Sequence, residues 1–373
     1  MIRFFTIHKP PGVPHLALKL LHAVGIANGE TFSHRFTAVY LLFIFIIAIP
    51  KLFCGYTSFE ASVVGLAELF FQLNNFTGLL LVLVSSKQLQ CLVRVGQTIA
   101  DEVFQCAQTD MRQLLTSHHK RMHIFATAPI CATFWSYVRA AHRNTTAQYV
   151  LHMEEDFYGL QIRSSLRSCL MFAIPMVPTS YVCAYVGCAK IMIVFNFTSY
   201  CTVYFRLVAL QLQYQTRTVP SDRDSIRTIV AMHQQALCCA DLLETIVSPI
   251  MLMQIVLCVL MSSSMVLYFT FPTMSGHMIN VLLLFLVVST ETFGYCYLGT
   301  QLSMESARIA YAVYNGKWEQ QPREIAKHLQ LILLRAQKPI GITAGKFCFI
   351  NMEQFAKLLK TTYSVFILLR DLL

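Results

Sequence analysis

"IVSPIMLMQIVLCVLMSSSMVLYFTF", residues 246–271, runs for 26 residues without one charged side chain. At 1.5 Å per residue a helix of that length spans about 39 Å, more than the roughly 30 Å hydrocarbon core of a bilayer. The stretch reads as a membrane-crossing helix, and the rest of the chain supports that solvent. Of the 373 residues, 55% are hydrophobic and 13% charged, and there are 27 phenylalanines and 16 tyrosines. A soluble domain carries about 25% charged residues.

Working outward, further apolar runs of about 20 residues lie at 278–300 and 347–370 on one side, and at 179–202, 62–86 and 34–54 on the other. A shorter one at 122–139 carries Pro129. The expectation is a single all-α membrane domain over residues 1–373 with seven transmembrane helices. "HLALKLLHAVGIANG", residues 15–29, is interrupted by Lys19 and His22 and is too short for a secretory signal, so the first apolar run is expected to direct insertion.

Seven spans put the termini on opposite sides. With this division, 22 of the 29 lysines and arginines fall on one face and six on the other, with Lys190 inside span four. The positive-inside rule places the rich face, and with it the N-terminus, in the cytoplasm, and the C-terminus outside. The sequon at Asn144 then lies in the outer loop between spans three and four, where glycosylation occurs. Sequons at Asn75 and Asn196 fall inside spans and are chance matches. The net charge of +10 reflects this topology, and no nucleic-acid partner is implied.

Beyond the spans, Ile325, Leu329, Ile332 and Leu333 repeat at helical spacing, and residues 226–245 lead helically into span five. Such extensions predict a packed helical anchor region on the cytoplasmic side. Glu68, Lys190 and Glu291 interrupt apolar runs at a cost of about 2.5–3.5 kcal/mol each at a helix centre, so each must face the bundle or water. A Glu68–Lys190 ion pair is one geometric possibility, with Glu291 in a structural hydrogen bond. Ser262, Ser263 and Ser264 are expected to bond back to the preceding turn. The 13 cysteines show no metal-type CxxC spacing and read as buried thiols; His118, His119 and His123 share no helical face. No metal or cofactor is implied, and no HExxH or Gly-x-Ser-x-Gly motif suggests an enzyme.

Three stretches carry a family resemblance: "IVAMHQQALCCADLLE" (229–244) with His233, "ETFGYCYLGTQLSMESARIAYAVYNGKW" (291–318) with Ser306, Tyr314 and Trp318, and "QKPIGITAGKFCFINMEQFAKLLKTTYSVFILL" (337–369). Together they resemble insect odorant receptors along most of the chain; span two and the loop between spans three and four match only in length and pattern. The resemblance implies an odorant-binding subunit of a ligand-gated, non-selective cation channel, assembled with a shared co-receptor as a heterotetramer. It also implies residence in the plasma membrane of olfactory sensory neuron dendrites, with membrane lipids, permeating cations and a small volatile ligand as partners.

Residue by residue, the match implies that span seven follows "TTY" (361–363) with pore-lining residues, its gate near Phe366. Leu369 and Arg370 fall where the co-receptor has a polar glutamine and an apolar residue, a departure that points to a smaller contribution to conduction. The implied cavity lies in the outer half among spans two, three, four and six. Candidate rings are Phe70, Phe71, Phe134, Trp135, Tyr181 and Tyr185, with Asn74 and Asn75 for a hydrogen bond; ordinary helix packing would equally place such rings there. A gustatory-type channel of the same superfamily, or a receptor signalling through G proteins, is the alternative.

Overall fold

The computed structural model describes residues 34–53, 59–105, 110–118, 120–121, 166–216, 223–270 and 278–372. Eight labelled helices carry the fold. Helix α1 runs from His34–Phe43 through a π turn at Ile44–Ala48 to Ile49–Phe53; α2 is Phe59–Val84 and α3 is Ser86–Gln105. Helix α4 is Leu166–Gln215, α5 Arg223–Tyr268, α6 Met278–Tyr314, α7 Arg323–Ala336 and α8 Met352–Leu372. The π turn precedes Pro50, whose ring lacks an amide proton and clashes with the previous turn, so the wider turn accommodates it.

The expected runs at 34–54, 62–86, 179–202, 246–271 and 278–300 fall in helical stretches, the last three in helices that extend 13 or more residues beyond them. Among the described residues, parts of α2, α4 and α5 are by length and composition apolar enough to cross a membrane. The run at 122–139 lies outside the described residues. The last helix starts later than 347: residues 343–344 and 348–349 form a two-stranded antiparallel hairpin, and the chain turns helical at Met352. Its sequence explains this. Gly345 and Lys346 both take positive φ, 56° and 65°, a conformation that breaks a helix and that glycine adopts without penalty.

Helices α4, α5 and α6 have 50, 46 and 37 residues, hence about 75, 69 and 56 Å, well beyond a bilayer core. The uncharged run occupies only the C-terminal half of α5, so its N-terminal half stands outside that layer. There α3, the ends of α5 and α6, α7 and the hairpin pack together as the expected anchor. The periodic residues of α7 bear this out: Ile325, Leu329 and Ile332 are buried, and Leu333 is half-buried. Glu244 ties the hairpin to α5 by accepting from the Thr343 amide at 2.9 Å and from the Thr343 hydroxyl. The Gly345 amide donates to the Ser248 carbonyl at 3.1 Å, beside Pro249. The Ile340 amide donates to Ser306 Oγ at 2.9 Å, and the Met352 amide to Thr300 Oγ1 at 3.1 Å.

Helix α5 is the hub, packed against α2, α3, α4, α6 and α8. One apolar cluster joins α2, α4, α5 and the anchor. A second gathers Val63, Ala67, Met261, Met265, Val281, Leu358 and Phe366 from α2, α5, α6 and α8. The cysteines at 183, 188, 258 and 296 are buried free thiols, as small apolar groups would be.

Candidate functional site

Polar residues in the middle of the apolar helices form one connected network. Lys190 Nζ of α4 lies 2.7 Å from Glu291 Oε1 of α6, with the two side chains 0% and 3% exposed. The same ammonium donates to Gln254 Oε1 of α5 at 3.1 Å. Asn74 Nδ2 of α2 donates to that oxygen at 2.7 Å, and Gln254 Nε2 donates to Thr292 Oγ1 at 3.2 Å. Thr292 donates to the Val288 carbonyl at 2.9 Å, and Tyr295 donates to Glu291 Oε1 at 2.8 Å. Four helices are thus joined by hydrogen bonds that water does not reach. Burying two charges costs several kcal/mol each unless geometry and further hydrogen bonds offset it, and here both conditions hold.

Glycine makes the crossing possible. A Cβ at Gly78 would stand 2.6 Å from Lys190 Cδ, so only a bare backbone lets the lysine stem lie across α2. This placement corrects the expected Glu68–Lys190 pair. The ammonium meets Gln254 at the level of Asn74, six residues and about 9 Å along α2 from Glu68. Glu68 instead pairs with Lys51 of α1 at 2.9 Å and accepts from Gln72 Nε2 at 3.2 Å. Glu291 does make the structural hydrogen bond expected of it, through Tyr295.

The candidate cavity residues divide. Asn74 and Asn75 are each 1% exposed on α2. Asn74 faces α5 through Gln254, whereas Asn75 faces α4 and fills the space beside Gly187. Tyr185, half-buried on α4, packs on the same cluster as Phe76 and Val186. Phe70 and Phe71 pack instead on the second cluster, with Met265 and Phe366. Phe134, Trp135 and Asn144 lie outside the described residues, as does the side chain of Tyr181. Burial of Asn75 and of Asn196, 4% exposed, agrees with their sequons being chance matches. Between α2, α5 and α6, Val63, Ala67, Met265, Tyr268, Val281 and Leu284 line a narrow apolar crevice open to the outside.

On α8, Phe366 is 9% exposed, held in the second cluster, while Tyr363 and Leu368 stand exposed. Leu369 is half-buried. The Arg370 guanidinium lies 5.9 Å over the Phe366 ring and 3.2 Å from Asp371 Oδ1. Ser263 joins this helix to α5 by donating to the Thr362 carbonyl at 3.3 Å and to its own Val259 carbonyl at 2.7 Å; Ser264 bonds back to Leu260 at 2.9 Å. Back-bonding of Ser263 and Ser264 is as the sequence suggests, whereas Ser262 Oγ lies 3.9 Å from Cys258 Sγ. Sequence reasoning missed Gln254, Thr292 and Lys51. Gln254 carried a signal, being the only amide in the 26-residue uncharged run.

The family model described as 7tm odorant receptor matches residues 63–363. Odorant receptor 67c of Drosophila melanogaster is 26% identical over 186 residues, 49% of this chain and 46% of its own length. Odorant receptor 10 of Aedes albopictus is 39% identical over 87 residues, 23% of each chain. Each match thus spans about half or less of the relative's length. The olfactory receptor OR5 of Machilis hrabei, solved in complex with eugenol, superposes with a TM-score of 0.76 at 15% identity, covering 91% of this chain and 89% of that one. That likeness carries the seven-transmembrane fold. With the family model covering most of the chain, the protein belongs to the insect seven-transmembrane odorant receptor family.

Proposed function

We propose that this chain is the odorant-binding subunit of a heteromeric, ligand-gated, non-selective cation channel, working with a shared co-receptor in the dendritic membrane of olfactory sensory neurons. The observation that carries the proposal is the contact of α8 with α5 and α6, in the apolar cluster that holds Phe366 and also takes in Val63 and Ala67 of α2. Movement of α6 around a ligand reaches α8 through that contact. The N-terminus and the anchor lie in the cytoplasm and the end of α8 at the outer mouth, in keeping with the distribution of lysine and arginine. Asn144, on the outer side, carries a glycan.

The ligand is a small volatile organic molecule, bound in the outer half among α2, α4, α6 and the segment holding Phe134 and Trp135. Affinity comes from apolar burial against Phe70, Phe71, Tyr181 and Tyr185, at about 25 cal/mol per Å². A small organic ligand, eugenol, occupies the solved Machilis hrabei receptor of the same fold. Ligand shifts the gate only by binding the open state more tightly than the closed one. The open state dilates the ring around Phe366 and Leu369, with Arg370 at its rim. The exposed apolar face of the anchor, with Phe347 83% exposed and Tyr311, Tyr314 and Phe349 beside it in exposure, is what neighbouring subunits cover.

Co-expression with a co-receptor in cells lacking other chemoreceptors tests this. Volatiles should evoke cation currents only when both subunits are present, and a tag at Met1 should stay inaccessible on intact cells. Currents independent of the co-receptor, or an accessible Met1 tag, would overturn the proposal.

A further inference from the structure

Over one turn of α2, three buried amides each keep an open acceptor. Gln72, Asn74 and Asn75 are 5%, 1% and 1% exposed, and Gln72 Oε1, Asn74 Oδ1 and Asn75 Oδ1 have no hydrogen-bond partner among the described residues. Two of their nitrogens already donate: Gln72 Nε2 to the Glu68 carboxylate and Asn74 Nδ2 to Gln254 Oε1.

Two of these orientations are fixed by chemistry. A carboxylate only accepts, so the Gln72 atom facing Glu68 is its nitrogen. An ammonium only donates, so the Gln254 atom facing Lys190 is its oxygen. Asn74 shares that oxygen and must therefore present its nitrogen to it, which leaves its carbonyl open. The Lys190–Glu291 pair thus polarises the network, and Asn74 Oδ1 is its one buried side-chain atom without a partner among the described residues.

We infer that this site selects ligands that donate a hydrogen bond, the hydroxyl of an alcohol or phenol, with Asn74 as the specificity-determining acceptor. The inference rests on the odorant-receptor function proposed above and names the ligand class. A carbonyl left unpaired in the bundle carries a desolvation cost that a hydroxyl removes. An ether, ketone or ester of the same size brings a second acceptor and removes none of it.

The test is a dose–response series on the co-expressed, full-length channel with matched pairs of equal heavy-atom number. The pairs are straight-chain alcohols of five to ten carbons with their isomeric methyl ethers, and ring-substituted methylphenols with the corresponding anisoles. In the wild type the alcohol or phenol should act at roughly tenfold lower concentration than its ether. Asn74→Leu should abolish that difference in the surface-expressed channel. The wild-type comparison needs no variant, so a folding defect in Asn74→Leu leaves the inference testable.

Equal potency within pairs, as when buried water alone satisfies the amides, overturns the inference, and so does an ether or ketone preference. A hydroxyl preference that survives intact in a surface-expressed Asn74→Leu overturns the role of that residue. No current to any volatile, with the protein at the cell surface, overturns the odorant-channel function itself.

Discussion

Replacing Lys190 by methionine is the most informative perturbation of this bundle. Methionine keeps most of the stem lying across Gly78 and removes the ammonium that pairs with Glu291 at 2.7 Å and donates to Gln254 at 3.1 Å. Glu291 is then a buried carboxylate with only the Tyr295 hydroxyl as its remaining donor in the network. Removing one member of a buried pair costs about 3–5 kcal/mol, because the other charge stays desolvated and uncompensated. With an unfolding entropy of about 2 cal/mol/K per residue, the 373-residue chain loses roughly 5 °C for 4 kcal/mol. Lys190→Met/Glu291→Met removes both charges and leaves mainly an unpaired Tyr295 hydroxyl, a cost of about 1–2 kcal/mol. The double variant should therefore melt above the single one by about 3 °C. Melting is read from the fluorescent, detergent-solubilised protein by size-exclusion after heating. A single variant within about 1 °C of wild type, or a double variant no more stable than the single, refutes the buried pair as a structural tether.

Four further outcomes follow from the packing and the charges. In Gly299→Ala the new Cβ would run into the Ile350 carbonyl oxygen, a backbone atom that cannot swing aside, so surface expression should collapse. Gly345→Ala forces a Cβ at φ +56° against the flexible Leu252 side chain and should cost less, about 1–2 kcal/mol, seen as a smaller melting shift. His233 sits on the part of α5 outside the apolar run, and burial first, with the Arg335 guanidinium second, holds its pKa down to about 4. A depressed folded-state value means that stability is full above the ordinary value near 6.5 and is lost as pH falls toward 4, by at most about 3 kcal/mol. His233→Gln should flatten that window in melts at pH 7.5 and 4.5. Arg370→Gln should raise single-channel cation conductance of the assembled channel by less than about twofold, since Asp371 already stands 3.2 Å from the guanidinium; no change would show that Arg370 lies off the pathway.

The anchor was legible in advance because its signal is local. The four apolar residues of α7 repeat at helical spacing, and three of them are buried as that spacing requires. The start of α8 was less legible: apolar residues run on from Phe347 through Ile350, so hydropathy cannot register the turn made by two left-handed residues at 345 and 346. The candidate site was read in part. Asn74 and Asn75 stood out as amides in an apolar run, and burial bears out that they face the bundle. Their partners did not stand out, because Gln254 lies 180 positions from Asn74 and nothing along the chain links the two.

What the amino-acid sequence determined by itself is the solvent, the helices and the requirement that every intramembrane charge find company. Those follow from run length, periodicity and transfer cost, each a property of neighbouring residues. Which charges pair was decided only by tertiary structure. On paper Glu68 was the partner considered for Lys190, and Glu291 was given only a hydrogen bond; the approach of α6 to α4 brought Glu291 to the ammonium instead. The pairing of a buried charge depends on where helices cross, and crossing points are set by side-chain shape across the whole bundle.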